Sequence, residues 1–169
     1  MPALVDRINQ TVDRLRDDPA AGVANPSVTA SLANGHARLS SGPFNWDCDL
    51  GPAIGGENLA PSPTAYLLGA LAGCGVIFLR DTLAPQFGVT LTDVQATVSC
   101  HADTAGLLGI NGASPALQDI ALTVRVTSPD PAERLDPMFA AWRERCPIYL
   151  SLINPNHIAL DFKVDRATE

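Results

Sequence analysis

The segment that decides the fold spans residues 62–84, SPTAYLLGALAGCGVIFLRDTLA. Ser62 suits the N-cap position and Pro63 the first helical position, whereas Pro85 directly after the segment is expected to end the helix. The side chains are apolar on nearly every face, which is typical of a helix buried inside a sheet or against a second copy of itself. The sequence therefore predicts a long central helix from Thr64 to Ala84.

The elements on either side of this helix indicate an α+β domain, because short strands and helices alternate without an internal repeat. We interpret residues 1–169 as one domain, with an N-terminal helix (1–18) and a core (27–165). In chain order we expect an amphipathic helix (Val5–Arg16), three strands (Ser27–Leu32, His36–Ser40, Phe44–Cys48), the central helix, two strands (Asp93–His101, Gln118–Thr127), a helical region (Pro131–Arg145) restarting at Asp136-Pro137, a helical turn from Cys146, and a closing strand (His157–Asp165).

Composition and charge exclude several classes of protein. The 169 residues are 46% hydrophobic and 17% charged, which is a globular balance. A net charge of −7 with scattered Lys and Arg argues against nucleic-acid binding. No secretory signal pattern is visible, and the longest apolar run, Ala65–Leu79, is shorter than the roughly 20 residues of a membrane span. We therefore expect a cytoplasmic protein that does not enter a membrane.

The chemistry of the chain depends on its four cysteines, which are too sparse for a disulfide-stapled scaffold. Cys74 lies between two glycines in the apolar helix, where burial favours an inert thiol, although the glycines suggest that something approaches closely. Cys146 precedes Pro147 and can cap a helical turn, where backbone N–H groups stabilise a thiolate. From the residues alone, each cysteine is compatible with a structural or a reactive role.

The other candidate residues favour structural roles. Cys48 and Cys100 lie in predicted strands and are typical of small core side chains. The three histidines are far apart in the sequence, which argues against a metal site. Asp47 and Asp49 flank Cys48 and are typical of turn or surface carboxylates. Phe139 and Trp142 are expected to form the core face of the helical region Pro131–Arg145. We expect no cofactor.

The cysteine-bearing segments resemble those of the OsmC/Ohr family. The similarity is carried by residues 61–74 (PSPTAYLLGALAGC), by Asp49 and Gly55-Gly56 before them, by Gly106-Leu-Leu-Gly109, and by Cys146-Pro147-Ile148-Tyr149. The two cysteines are 72 residues apart, as the family's spacing requires. The resemblance extends over about residues 27–164 and leaves only the N-terminal helix outside.

This resemblance implies both an architecture and a reaction. The family forms an intertwined homodimer in which two long central helices lie side by side and antiparallel sheets wrap them. Its members reduce organic hydroperoxides, so Cys74 takes the position of the cysteine that becomes a sulfenic acid, and Cys146 that of the cysteine that resolves it to a disulfide. Recycling in the family uses a dithiol reductant of the lipoyl type.

One departure from the family pattern leaves a second function open. A Glu and an Arg form a charged pair beside the first thiol in the family, but the Glu position is Thr64 here. Arg38 is the nearest candidate for the arginine, Glu57 lies in the upstream loop, and Arg80 points away from Cys74 on the helix. The alternative is a dimer of this fold that acts as a redox sensor or binds a hydrophobic ligand without turning over peroxides.

Overall fold

The computed structural model describes residues 2–154 and 156–166. Its helices and strands alternate as an α+β fold with antiparallel sheets, which confirms the predicted class. In chain order the elements are α1 (Pro2–Asp17), β1 (Thr29–Ala33), β2 (His36–Ser41), β3 (Phe44–Cys48), α2 (Pro63–Ile77), α3 (Ala84–Phe87), β4 (Asp93–His101), α4 (Thr104–Leu107), β5 (Gln118–Thr127), α5 (Ala132–Arg145) and α6 (Pro147–Ile153).

The three early strands form an antiparallel meander in the order β1-β2-β3, as predicted. Asn34 and Gly35 both adopt positive φ in the first turn, and Gly42 does so in the second, which explains why these residues mark the turns. A hydrogen bond of 2.6 Å from the Tyr66 hydroxyl to the Asp47 carbonyl joins α2 to this sheet. The strand β1 is exposed on both faces along most of its length.

The central helix runs further than predicted, because Pro85 does not end it. Between α2 and α3 the chain makes a widened turn over Phe78–Leu83, in which the Ala84 N–H donates to the Leu79 carbonyl five residues earlier. This widening accommodates a proline, which lacks an N–H and would clash with the carbonyl four residues before it. The helix ends at Gly88, which adopts the left-handed conformation.

The continuation of the helix beyond Ala84 bears on the expectation that this region is too short to span a membrane. The helical segment Pro63–Phe87 has 25 residues and a mean hydropathy of 1.6, which by length and composition is enough to cross a membrane. The expectation that this region is too short was therefore wrong. Within this segment, Leu71, Gly75 and Leu79 are buried against the rest of the fold, and 28% of its apolar window is buried in all.

The second sheet, the antiparallel pair β4 and β5, supports the central helix and matches its predicted boundaries. A Cβ atom at Gly75 would lie 3.4 Å from Ala96 and 3.6 Å from Val124, so the missing side chain lets α2 pack closely on this sheet. The buried core lies between α2, α3 and α5, and its members are Leu71, Leu79, Leu83, Ala84, Val89, Met138, Ala141, Trp142 and Cys146.

The helix α5 is continuous, so the predicted restart at Asp136-Pro137 was wrong. Pro137 lies inside the helix and removes one backbone hydrogen bond near its N-terminus. Glu133, whose carbonyl loses this bond, and Pro137 are both exposed, so water can take the place of the missing donor. The buried side chains of Met138 and Trp142 keep the helix in place across the proline.

The C-terminal segment is the largest difference from the predicted elements. Residues 156–166 contain no strand, and the closing strand predicted at His157–Asp165 was therefore wrong for the single chain. Its four alternating apolar side chains are 75–87% exposed: Ile158, Leu160, Phe162 and Val164. A strand needs a neighbouring strand for its backbone hydrogen bonds, and none of the described strands pairs with this segment.

The outer face of the central helix is also uncovered. Six residues of α2 on this face are exposed: Ala65, Leu67, Gly69, Ala70, Gly73 and Ile77. A Cβ atom at Gly69 or Gly73 would meet nothing within 4 Å. Among the described residues, the helix is thus buried on the sides that face β4, β5 and α5, and burial all round stays a prediction that needs a second copy.

Candidate functional site

The fold brings together two cysteines that are distant in the sequence. The Sγ atoms of Cys74 and Cys146 lie 2.9 Å apart, and one thiol donates a hydrogen bond to the other. Both side chains are free thiols, and Cys146 has no exposed surface. The two candidate residues chosen from the sequence therefore form one site.

Cys146 is positioned by the junction of two helices. Its backbone N–H donates to the Trp142 carbonyl at the end of α5, and its Sγ atom accepts the Tyr149 N–H, at 3.5 Å, as the N-cap of α6. The sulfur thus takes one of the backbone N–H groups that have no partner within the first turn of a helix. The predicted capping role of Cys146 is confirmed.

Cys74 is positioned by the packing of α2. The neighbouring Gly75 allows the sheet to approach the helix, whereas Gly73 faces open space, so only one of the two glycines marks a close approach. The Trp142 indole N–H donates to the Cys74 carbonyl over 3.4 Å and ties α5 to this turn of α2. The thiol of Cys74 is therefore aimed at Cys146 by contacts on both sides.

The surroundings of Cys74 favour the neutral thiol. Burial, followed by the hydrogen bond and the charge interaction with Cys146, raises the pKa of Cys74 to about 12, and a backbone N–H from Ile148 opposes this only weakly. None of these groups is a cation. At neutral pH the single chain thus keeps Cys74 as a thiol, and either sulfur can donate the hydrogen bond between the two cysteines.

The charged residues considered beside the first thiol lie in other contacts. Arg38 is paired with Asp47 on the meander over 3.5 Å, and Arg80 forms a bidentate pair with the adjacent Asp81, whose shorter bond is 2.7 Å. That pairing raises the pKa of Arg80 and lowers that of Asp81. Glu57 donates its backbone N–H to a neighbouring carboxylate. The described contacts thus give no charged pair at Cys74.

The carboxylate that receives the Glu57 N–H is Asp49, which orders the loop before the central helix. Asp49 is 7% exposed and accepts backbone N–H groups from Leu50, Glu57 and Leu59 over 2.7, 3.1 and 3.0 Å. These hydrogen bonds lower the pKa of Asp49, with a contribution from His36. Asp49 orders a loop, as the interpretation of a turn carboxylate implies, but the sequence did not indicate that its side chain is buried.

No group of three or more His, Cys, Asp or Glu side chains that could hold a metal ion is found within residues 2–154 and 156–166. Cys48 is buried at the end of β3, and Cys100 is half-buried in β4. The thiol chemistry is therefore concentrated at Cys74 and Cys146.

The sequence did not identify the aromatic wall beside the thiols. The rings of Trp142 and Tyr149 lie 5.4 Å apart and tilt by 40°. Both rings line a groove of about 330 Å³. Trp142 was assigned to the core face of its helix, and its burial confirms this. Tyr149 follows Cys146 by three residues, and that spacing was the available signal for its place beside the sulfur.

The sequence and structure are similar to those of one family. The family model described as OsmC-like protein matches residues 55–161. A comparison with curated proteins finds no match.

Solved structures of this family share the fold. An OsmC-like protein from Mycoplasma pneumoniae superposes with a TM-score of 0.64 at 22% identity, covering 76% of this chain and 87% of that one. Organic hydroperoxide resistance proteins from Legionella pneumophila (TM-score 0.56, 19% identity, 78% and 91% covered) and Elizabethkingia anophelis (TM-score 0.56, 12% identity, 78% and 89% covered) are also similar.

Proposed function

The chain belongs to the OsmC-like protein family, and from this premise we propose that it is a cytoplasmic thiol-dependent peroxidase that reduces organic hydroperoxides. In this proposal Cys74 attacks the peroxide and Cys146 resolves the product. The names of the neighbours from Legionella pneumophila and Elizabethkingia anophelis, both organic hydroperoxide resistance proteins, support the reaction class.

The observation that carries the proposal is the contact between the two sulfur atoms. A sulfenic acid on one cysteine is resolved only when a second thiol can reach its sulfur. The 2.9 Å separation of the Cys74 and Cys146 Sγ atoms meets this requirement without movement of the helices that carry them. A pair of inert core cysteines does not need this contact.

The proposed reaction has three steps. The Cys74 thiolate attacks the outer oxygen of the hydroperoxide, the O–O bond breaks, and the alkoxide leaves as an alcohol after taking a proton, so Cys74 becomes a sulfenic acid. The Cys146 thiol attacks that sulfur, a disulfide forms, and water leaves. A dithiol reductant of the lipoyl type then reduces the disulfide and is itself oxidised to a cyclic disulfide.

The reaction needs a cation near Cys74, and we propose that a second copy of the chain supplies it. The uncovered face of α2 and the unpaired segment 156–166 are the surfaces that a homodimer would bury. Arg38 lies on β2, in the exposed meander, and is held only by a 3.5 Å pair with Asp47. An Arg38 side chain from the second copy would favour the Cys74 thiolate.

One observation favours the second candidate function, a redox sensor or ligand-binding dimer without peroxide turnover. The raised pKa of Cys74 makes its thiol a weak nucleophile at neutral pH. Under this alternative, the reduced protein would react with peroxide once and slowly, and it would not cycle with a dithiol.

The test is the intact mass and the turnover of the reduced protein with limiting cumene hydroperoxide. We expect the loss of two hydrogens, mapped to a Cys74–Cys146 disulfide, and repeated turnover with dihydrolipoamide. Cys74→Ser should remove turnover, and Cys146→Ser should accumulate a sulfenic acid on Cys74. Cys100→Ser is the matched control, because this half-buried cysteine is not among the partners given for the Cys74 and Cys146 thiols.

The proposal fails if the wild-type protein consumes peroxide no faster than the Cys74→Ser variant. A single oxidation that dihydrolipoamide does not reverse would instead support the sensor function.

A further inference from the structure

Two side chains of the meander approach the same carboxylate oxygen. Asp47 Oδ1 lies 3.5 Å from Arg38 Nε and 3.6 Å from His36 Nε2. Arg38 and Asp47 lie directly opposite each other on β2 and β3, and His36, two residues before Arg38, lies on the same face of the sheet. Because Asp47 carries a single charge, it cannot hold both side chains at full strength when His36 is protonated.

The shared carboxylate oxygen has no hydrogen bond of its own. Asp47 Oδ1 and His36 Nδ1 are buried atoms without a hydrogen-bond partner among the described residues. A buried polar atom without a partner costs stability, so a small movement of the imidazole or of the guanidinium toward Asp47 is favourable. Asp47 Oδ1 is therefore available for a hydrogen bond with either donor.

The two donors differ in how freely they can move. The His36 side chain is 14% exposed, whereas the Arg38 side chain is 56% exposed. Protonation of His36 gives Asp47 a second cation that is largely buried beside it, and the imidazolium also repels the Arg38 guanidinium. The exposed arginine is therefore the partner that leaves. Since a guanidinium stays charged over the physiological pH range, proton uptake by His36 alone controls the exchange.

The other titratable groups around His36 do not replace Asp47 in this exchange. The strand β1, which pairs with β2, contributes none. The Asp49 carboxylate interacts with His36, but it already accepts three backbone N–H groups. Cys48 lines a cavity of about 280 Å³ together with His36, and the Tyr66 hydroxyl donates to the Asp47 carbonyl. Among the described contacts, Asp47 is thus the carboxylate that the imidazole and the guanidinium share.

We propose that Asp47 holds Arg38 on the meander, and that His36, once protonated, takes over this carboxylate and releases the arginine toward the second copy. This inference rests on the proposed function, in which Arg38 of one copy supplies the cation for the Cys74 thiolate of the other. The site then gains its cation as the pH falls, which offsets the protonation of the thiol in acid. The cluster thus makes the reactivity of Cys74 less dependent on pH between about pH 5 and 8, where imidazoles titrate.

The test follows the labelling of Cys74 by iodoacetamide, which needs no peroxide and is therefore independent of turnover. The rate is measured at about pH 5.5 and about pH 8.5, on either side of the titration of a typical imidazole, and is divided by the wild-type rate at the same pH. His36→Gln removes the proton acceptor, and Asp47→Asn removes the shared carboxylate. His101→Gln is the matched control, because His101 is an exposed histidine on β4.

We expect the two variants to act in opposite directions and at opposite ends of the pH range. His36→Gln keeps Arg38 on Asp47 and should slow labelling at the lower pH only, whereas Asp47→Asn frees Arg38 and should speed labelling at the higher pH only. Each effect should reach at most about fivefold, because release gains no more than the strength of one exposed ion pair. Neither variant should have an effect in an Arg38→Gln background, and His101→Gln should match the wild type at both pH values.

Rate ratios that do not change with pH, or changes of the two variants in the same direction, would overturn the proposal. If His36→Gln does not fold, Asp47→Asn decides alone, since faster labelling at the higher pH that disappears with Arg38→Gln is specific to a released arginine.

Peroxide turnover separates this inference from the proposed function. The expected labelling pattern in a protein without turnover would support the release of Arg38 and contradict the peroxidase. Ratios that stay constant with pH in an active peroxidase would contradict the release of Arg38 alone.

Discussion

Two regions of the molecule have similar sequence patterns but very different burial. One is the core around the thiols, and the other consists of the flanking parts, which are the meander β1–β3 and the C-terminal segment 156–166. Around the thiols, Leu83, Met138 and Cys146 have no exposed surface. In the flanking parts, Leu32 of the meander and Phe162 of the C-terminal segment are each 84% exposed. The first region completes its own core within one chain, and the second does not.

The difference shows that an alternating pattern specifies a face and not the partner of that face. Leu122 and Val124 of β5 alternate with exposed residues and pack against the core, because β4 lies beside β5 and α2 covers it. Leu160 and Phe162 alternate equally well, yet no described strand lies beside them. Exposed apolar surface on this scale is typical of an interface, so we infer that a second copy completes this region.

The largest expected effect is on the reactivity of Cys74, and it shows whether the meander of one copy supplies a cation to the thiols of the other. In the single chain, the pKa of Cys74 is raised from 9.0 to about 12, which lowers its thiolate fraction at neutral pH about a thousandfold. If the second copy supplies Arg38, Arg38→Gln should slow alkylation of Cys74 at pH 7 by up to about that factor. Iodoacetamide labelling with peptide mass mapping from pH 7 to 11 measures it.

Arg125→Gln is the control for this labelling experiment, because Arg125 is an exposed arginine on β5. In the Arg38 variant, we expect Cys74 to be labelled at the wild-type rate only at high pH, because its thiol must then lose its proton without a neighbouring guanidinium. Equal labelling of Cys74 in the wild type and in the Arg38 variant at pH 7 would show that Arg38 does not favour the Cys74 thiolate.

The next effect compares truncations in the two regions. Met138→Ala removes a fully buried side chain and should lower the free energy of unfolding by about 2–5 kcal/mol, measured by urea denaturation. Phe162→Ala removes an exposed side chain and should act through association, shifting the protein toward the monomer mass in sedimentation. An unchanged mass at micromolar concentration would show that the C-terminal segment is not part of an interface between two copies.

The smallest effect concerns the loop that joins the two regions. The hydrogen bonds to Asp49 lower its pKa below 3.8, so the stability that this carboxylate contributes is complete above pH 3.8 and is lost as the pH falls through the lowered value. Asp49→Asn should therefore lower the thermal midpoint by a few degrees at pH 7 and less at pH 3.

The exposed residue Asp93 gives the matched variant Asp93→Asn, which should unfold like the wild type at both pH values. A difference between Asp49→Asn and wild type that does not depend on pH would show that the loop is ordered by contacts other than the Asp49 carboxylate.

The sequence predicted the elements well where local signals agree with one another. The boundaries of β4 and β5 and the N-cap role of Cys146 were obtained from alternation and from the Cys146-Pro147 pair. The errors at Pro85 and Pro137 share a physical cause. A proline removes one hydrogen bond, and tertiary packing or a widened turn can compensate for that loss.

The candidate site was predicted in part. The resemblance paired Cys74 with Cys146, and the structure shows them in contact. The place of Arg143 at the edge of a groove was not foreseen, because the other walls of that groove come from α2, β5 and α6. Residues that are distant in the sequence meet only in the folded chain.

By itself, the sequence determined the apolar central helix and the strand pairs, because these depend on periodicity and on capping and turn residues. The choice of Cys74 and Cys146 as the reactive pair is what the family resemblance implies. Only the tertiary structure decided that the Cys74 and Cys146 sulfurs touch, that burial raises the pKa of Cys74 and that Arg143 borders a groove. Distance and desolvation fix these properties, and both are set by how the elements pack.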